Sequence, residues 1–158
     1  MFPVLHGHQD KEIADFAREG FFGPEIGDLL LTYGSGYKRS DGSLSFLHQA
    51  RVGQGEKKMC YKNASELVLS DLSLTYVEGY AFSGNIPFPF PVAHAWAITE
   101  SGLVLDPTWD SGLDYFGISM PTEKLSEYLL LGREYGILSS LWIKEDLRAA
   151  FSRDYPLL

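Results

Sequence analysis

A chain of 158 residues, 45% hydrophobic and 22% charged, is long enough to bury a sizeable core and is not biased towards disorder. Its formal net charge of -8 argues against nucleic acid as a main partner, because phosphate binding relies on a positive field. The single cysteine rules out an internal disulfide, and no zinc-type spacing of Cys and His is present.

No apolar run is long enough to span a bilayer. The start, Met1 to His6, has neither the basic residues nor the apolar stretch of a signal peptide. A cytoplasmic location is therefore expected, where a free thiol stays reduced. One domain is expected over 1–158, with a helical lead-in at 1–52, a core at 53–120 and C-terminal helices at 121–158.

In chain order, Asp10 is placed to cap a helix through Ile13, Ala14, Phe16 and Ala17. His6 and His8 precede it without carboxylates at ligand spacing and read as a chain end. Pro24 suits the first turn of a second helix, with Ile26, Leu29, Leu30 and Tyr33 on its apolar side. Gly34 to Ser45, rich in Gly and Ser, reads as an exposed loop. Leu44 to Val52 fits a short strand or a helical turn, and His48 within it reads as a surface residue.

After the break at Gly53-Gln54-Gly55, Lys57 to Ser70 reads as a helix with Cys60, Ala64, Leu67 and Val68 on one face. That places the thiol in the first turn, where unpaired N–H groups and the positive end of the helix dipole favour a thiolate. A small apolar core residue is the plainer reading of a lone cysteine.

From Leu74 the period becomes two, and Leu74 to Ala81 reads as a strand. Glu78 falls on the side of Tyr76 and Tyr80, where it either meets substrate or faces water, the commoner fate of a glutamate. Ser83 to Pro91 is a loop stiffened by Pro87, Pro89 and Pro91. Its Phe88 and Phe90 are candidates to wall a cleft for an extended or apolar substrate. Val92 to Thr99 forms the next strand, with Val92, His94, Trp96 and Ile98 on one face. Glu100-Ser101-Gly102 turns the chain, and Leu103 to Asp106 returns antiparallel. His94 and Asp106 are then neighbours, as an imidazole and its orienting carboxylate should be; Asp110 and Asp114 are alternatives placed in a loop. Tyr115 to Met120 is a further strand. Pro121 opens a helix to about Arg133, and Ser140 is placed to cap a last helix through Ile143, Leu147 and Ala150.

Thiol, imidazole and carboxylate are the parts of an activated thiol nucleophile. Cys60 at a helix start, the strand Tyr76-Val77-Glu78-Gly79-Tyr80, His94-Ala95-Trp96 and Asp106-Pro107-Thr108-Trp109 together resemble the transglutaminase-like superfamily of papain-like thiol enzymes, over residues 54–110. The resemblance implies an α+β fold in which the cysteine-bearing helix packs on an antiparallel sheet, here with extra N- and C-terminal helices. It implies Cys60 as nucleophile, His94 as general base and then acid, and Asp106 as the orienting carboxylate. Trp96 would pack beside the site and Trp109 behind the Asp turn, both with Tyr80 as candidate substrate contacts. Gln54, in a Gln-Gly pair shortly before the cysteine, is placed like the papain-like oxyanion glutamine. Some relatives use an aromatic donor instead, which leaves Tyr61 and Tyr80 open, and an exposed loop amide is the plain alternative for Gln54.

Two functions follow. One is an enzyme acting on an amide or similar acyl bond of a peptide, protein or small molecule, without metal or cofactor. Water as acceptor would make it a peptidase or amidase, an amine a transferase. The other is a binding module on the same fold. The compact size also suits an accessory protein of a phage or mobile element that modifies or sequesters a host component.

Overall fold

The structure is a computed structural model that describes residues 23–39, 44–83 and 91–156. The expected helix around Ile13 and Phe16, the His6 and His8 pair, and Phe88 and Phe90 lie outside the described residues. Helix α1 is Gly23–Tyr33, with Pro24 in its first turn. Ile26, Leu29 and Leu30 recur at helical spacing, and all three are buried. Strand β1 is Ser35–Lys38. The short helix α2 is Phe46–Gln49, capped by Ser45, whose hydroxyl accepts the His48 N–H. Helix α3 is Cys60–Ser70, and its apolar side buries Ala64, Leu67 and Val68.

The strands β2 (Thr75–Ser83), β3 (Val92–Ile98), β4 (Val104–Leu105) and β5 (Gly112–Met120) follow, interrupted by no described helix. With β1 they form one antiparallel sheet in the order β1-β5-β2-β3-β4. Helix α4 is Thr122–Gly132, a 3-10 turn spans Leu138–Ser140, and helix α5 is Glu145–Asp154. The fold is thus mixed α+β, with helices against an antiparallel sheet. Among the described residues no helix is long and apolar enough to cross a membrane.

Alternation sorts the sheet into two faces. Tyr76, Tyr80, Ala95, Ala97, Ile118 and Met120 form one core with α1, α3, α4 and α5. Small alanines on β3 let α3 lie close to that strand. Val77, Ala81, Trp96, Ile98, Val104, Tyr115 and Tyr37 form a second cluster on the opposite face, and His94 shares their parity.

Two expectations are corrected here. Ser35–Lys38 is not loop but an edge strand paired with β5, because Tyr37 buries its ring edge-on to Trp96. Ser140 does not cap the last helix. Its hydroxyl instead donates to the Gly136 carbonyl at 2.7 Å, the helix starts at Glu145, and Ile143 is exposed.

Glu78 is a third correction. It faces neither water nor substrate but is 2% exposed on the helix-covered face. Its carboxylate accepts the Ile137 N–H at 2.8 Å, the Leu138 N–H and the Tyr76 hydroxyl at 3.0 Å. The chain beyond α4 is thereby tied to the middle of the sheet. Burial pushes this carboxyl up to about 7, and the three donors only partly offset it. The folded value lies above the ordinary one near 4.5, so the folded protein holds this proton more tightly than the unfolded chain. The contribution to stability is full below about pH 4.5 and is lost as the pH rises through 7. Glu78→Gln keeps an acceptor and removes the charge. Urea midpoints at pH 4, 6 and 8 should show a flatter pH dependence for this variant; an unchanged slope would contradict the assignment.

Candidate active site

Cys60 is the first residue of α3, and among the described residues no side chain caps this helix: Met59, at the cap position, offers none. The N–H groups of the first turn have no intrahelical acceptors, so the positive end of α3 is left beside the half-buried thiol.

The segment before α3 is laid along the Asp106 turn by backbone bonds. Gly53 donates to the Asp106 carbonyl at 3.0 Å and Gly55 to the Pro107 carbonyl at 2.6 Å. Approach this close needs glycine at 55: a Cβ there would sit 2.5 Å from the Asn63 amide and 2.8 Å from the Pro107 oxygen. Asn63, nearly one turn into α3, locks the arrangement. Its amide donates to the Glu56 carbonyl at 2.7 Å and to the Thr108 hydroxyl at 2.9 Å, and its oxygen accepts the Glu56 N–H. These bonds tie the cysteine-bearing helix to the aspartate-bearing turn.

β3 and β4 pair through Ala97 with Leu105, which brings the next residue, Asp106, level with Trp96 and close to His94. Nε2 of His94 and Oδ2 of Asp106 are 2.7 Å apart, with the two residues 1% and 3% exposed. The indole of Trp109 lies flat on the imidazole, centroids 3.8 Å apart and planes 15° apart. The other carboxylate oxygen accepts the N–H groups of Thr108 and Trp109 at 2.9 and 3.0 Å.

The Cys60 thiol lies near enough to the His94 imidazole to act on it. With Nε2 committed to Asp106, Nδ1 is the nitrogen left for sulfur. Burial on its own would push the imidazole down. The hydrogen bond to Asp106, the nearness of Cys60 and the charges of both win, and His94 is raised to about 9. A protonated imidazole between a carboxylate and a sulfur is what a thiolate–imidazolium pair requires.

Other expected site residues fall differently. Gln54 is exposed, and its amide donates back to the Val52 carbonyl at 3.3 Å. Trp96 is fully buried beneath the imidazole, and Tyr80 is 3% exposed on the other face of the sheet, so neither presents surface to a substrate. Trp109 is half-buried. Asp110 is exposed, and Asp114 lies within β5, in register with Lys38 and Phe82, rather than in a loop. His48 is not a free surface residue; it pairs with Asp71 at 2.9 Å and joins α2 to the end of α3. Among the described residues no group of three or more His, Cys, Asp or Glu side chains is placed to hold a metal. Sequence reasoning missed Asn63 and Tyr115, whose hydroxyl donates to Asp106 Oδ2 at 2.9 Å. A lone Asn beside the apolar stripe of α3 was the one available signal for the first.

No protein-family model, curated protein or solved structure matches this chain.

The raised imidazole has a consequence for stability. Since its folded value of about 9 exceeds the ordinary 6.5, its contribution is complete below pH 6.5 and is lost as the pH climbs to 9. Asp106→Asn removes the negative partner and should abolish most of the fall in thermal midpoint between pH 6.5 and 9. Parallel pH curves for the variant and the unmodified chain would mean that the pair is not charged in the folded protein.

Proposed function

We propose that this chain is a thiol-dependent enzyme acting on amide or other acyl bonds, built on a transglutaminase-like core. One observation carries the reading: a cysteine at a helix N-terminus lies beside an imidazole, one nitrogen of which is 2.7 Å from a buried carboxylate.

In this reading the Cys60 thiolate attacks the carbonyl carbon of the substrate, and the carbonyl oxygen takes up the negative charge. The Cys60 N–H, at the positive end of α3, is one donor to that oxyanion. The exposed Gln54 amide is the candidate for the second, on turning away from Val52. One such donor is typically worth about 3 kcal/mol in the transition state. The His94 imidazolium then protonates the leaving amine as the carbon–nitrogen bond breaks, which leaves a thioester on Cys60. His94, now neutral, takes a proton from water or from an acceptor amine as that group attacks the thioester, and the thiolate is restored. Asp106 keeps the ring in place throughout, and Trp109 covers one ring face.

The substrate class is a peptide, a protein or a small amide, with the acceptor chosen by the walls around Cys60. Cytoplasmic residence fits a thiol that must stay reduced.

Because Cys60 is the only cysteine, alkylation reads this sulfur without background. Dilute iodoacetamide should label it well below pH 7, faster than an unactivated thiol, whose ordinary titration near 8.5 leaves about a few per cent thiolate at neutrality. His94→Ala should slow labelling at pH 6 by about tenfold or more, and Asp106→Ala by less. Slow labelling at every pH until unfolding, or an ordinary thiol curve untouched by either substitution, would turn the reading to a binding module on the same fold.

A further inference from the structure

The Asp106 carboxylate has four donors around it. Oδ1 takes the Thr108 and Trp109 N–H groups; Oδ2 takes the His94 Nε2–H and the Tyr115 hydroxyl. Three of these come from the turn itself or from the neighbouring strand. The fourth crosses the sheet from β5, and its route is built for it.

Tyr115 is fully buried, with its ring 4.9 Å from that of Trp96. Its hydroxyl occupies the space where a side chain on Gly112 would be: a Cβ there would lie 1.7 Å from the phenol oxygen and 2.4 Å from the carbon bearing it. Gly112 does not have the left-handed backbone that would itself call for glycine. Space for the hydroxyl is therefore the requirement. The pairing of β2 with β5 supplies the rest. Phe82 faces Asp114 and Ser83 faces Gly112, so Leu113 is skipped and points outwards, 56% exposed. The irregularity brings Gly112 over the end of the Tyr115 ring.

We propose that Tyr115 is a positioning residue of the His94–Asp106 pair, its hydroxyl sharing Oδ2 with the imidazole and thereby limiting how tightly that oxygen holds the charged ring. The inference rests on the reading of Cys60, His94 and Asp106 given above. A carboxylate oxygen that already accepts a hydroxyl has less charge to offer a second donor. Burial, followed by the charge of Asp106 and its hydrogen bond, pushes the phenol well above its ordinary range, so the hydroxyl remains a donor throughout the working pH. Other titratable or charged groups facing these residues are Cys60 from the start of α3, beside His94, and Arg39 from the end of β1, beside Tyr115. Tyr37, on β1 opposite Tyr115, is engaged with Ser119 and Ser35.

The test is the His94 titration, followed by proton–nitrogen correlation of the imidazole in the full chain. Tyr115→Phe keeps the ring and deletes one donor. It should move the His94 midpoint upward by about 0.5 to 1 pH unit, the equivalent of one hydrogen bond. Gly112→Ala should move it the same way by displacing the hydroxyl. Should the alanine variant fail to fold, Tyr115→Phe decides alone. A lower thermal midpoint with an unmoved or downward-moving titration means that Tyr115 only packs, and overturns the proposal. Repeating the measurement in a Cys60→Ser chain separates the two claims. A shift that persists there sustains the role of Tyr115 even if alkylation shows Cys60 to be unreactive, and its absence there overturns the proposal whatever the thiol does.

Discussion

A carboxylate buried to 3% exposure is a demand on its surroundings, and at Asp106 that demand shapes the candidate site. An uncompensated charge in such a place costs several kcal/mol, so the neighbourhood must supply donors. It does so from four positions, and these account for much of the local architecture. The turn after β4 closes so that two backbone N–H groups reach Oδ1. β3 places His94 on the same face, and β5 opens a gap at Gly112 for a phenol. Even the approach of α3 depends on this turn, since Gly53 and Gly55 bond to its carbonyls and Asn63 to its threonine.

Glu78, buried on the opposite side of the sheet, shows what the imidazole adds. It too has donors, two backbone N–H groups and a phenol, but no cation among the described groups that act on it. Neutral dipoles do not offset the loss of water, and the carboxyl is pushed up to about 7. Beside Asp106 the penalty is met by a partner that can itself become charged, and the shift is seen on His94, raised to about 9. The two carboxylates also divide the labour: Glu78 fastens the chain beyond α4 to the sheet, while Asp106 orients a ring.

The sheet from β2 to β4, and the helix before it, were legible because their signals are local. Alternation over Leu74 to Ala81 and Val92 to Thr99, the Gly102 turn and the stripe of Ala64, Leu67 and Val68 need no knowledge of distant partners. The trio Cys60, His94 and Asp106 was legible for the same reason, each lying at a position defined by its own element. Most of the failures involve partners far away in sequence. Glu78 is buried because N–H groups about sixty residues later come to it. Ser35–Lys38 is a strand because β5 offers an edge and Tyr37 finds Trp96, although its own residues look like a loop. Ser140 carried a true helix-cap signal that the fold satisfied with the Gly136 carbonyl. Tyr115 was read as the start of a strand, but what its hydroxyl touches depends on three other segments meeting.

Exposure across the site has a direction, and this bears on how a thiol there would act. His94 and Asp106 are sealed, Trp109 is half-buried with its ring flat on the imidazole, and Cys60 is half-buried at the end of its helix. Water therefore reaches the sulfur side of the pair and not the carboxylate side. The attraction between imidazolium and carboxylate acts where screening is weak, whereas the sulfur remains open to a reacting partner. The reverse arrangement, a sealed thiol and a solvated carboxylate, would leave the ring loosely held and the nucleophile out of reach. Fixing the orienting group in the interior and leaving the sulfur nearer the rim puts the helix dipole and the imidazole beside the same atom.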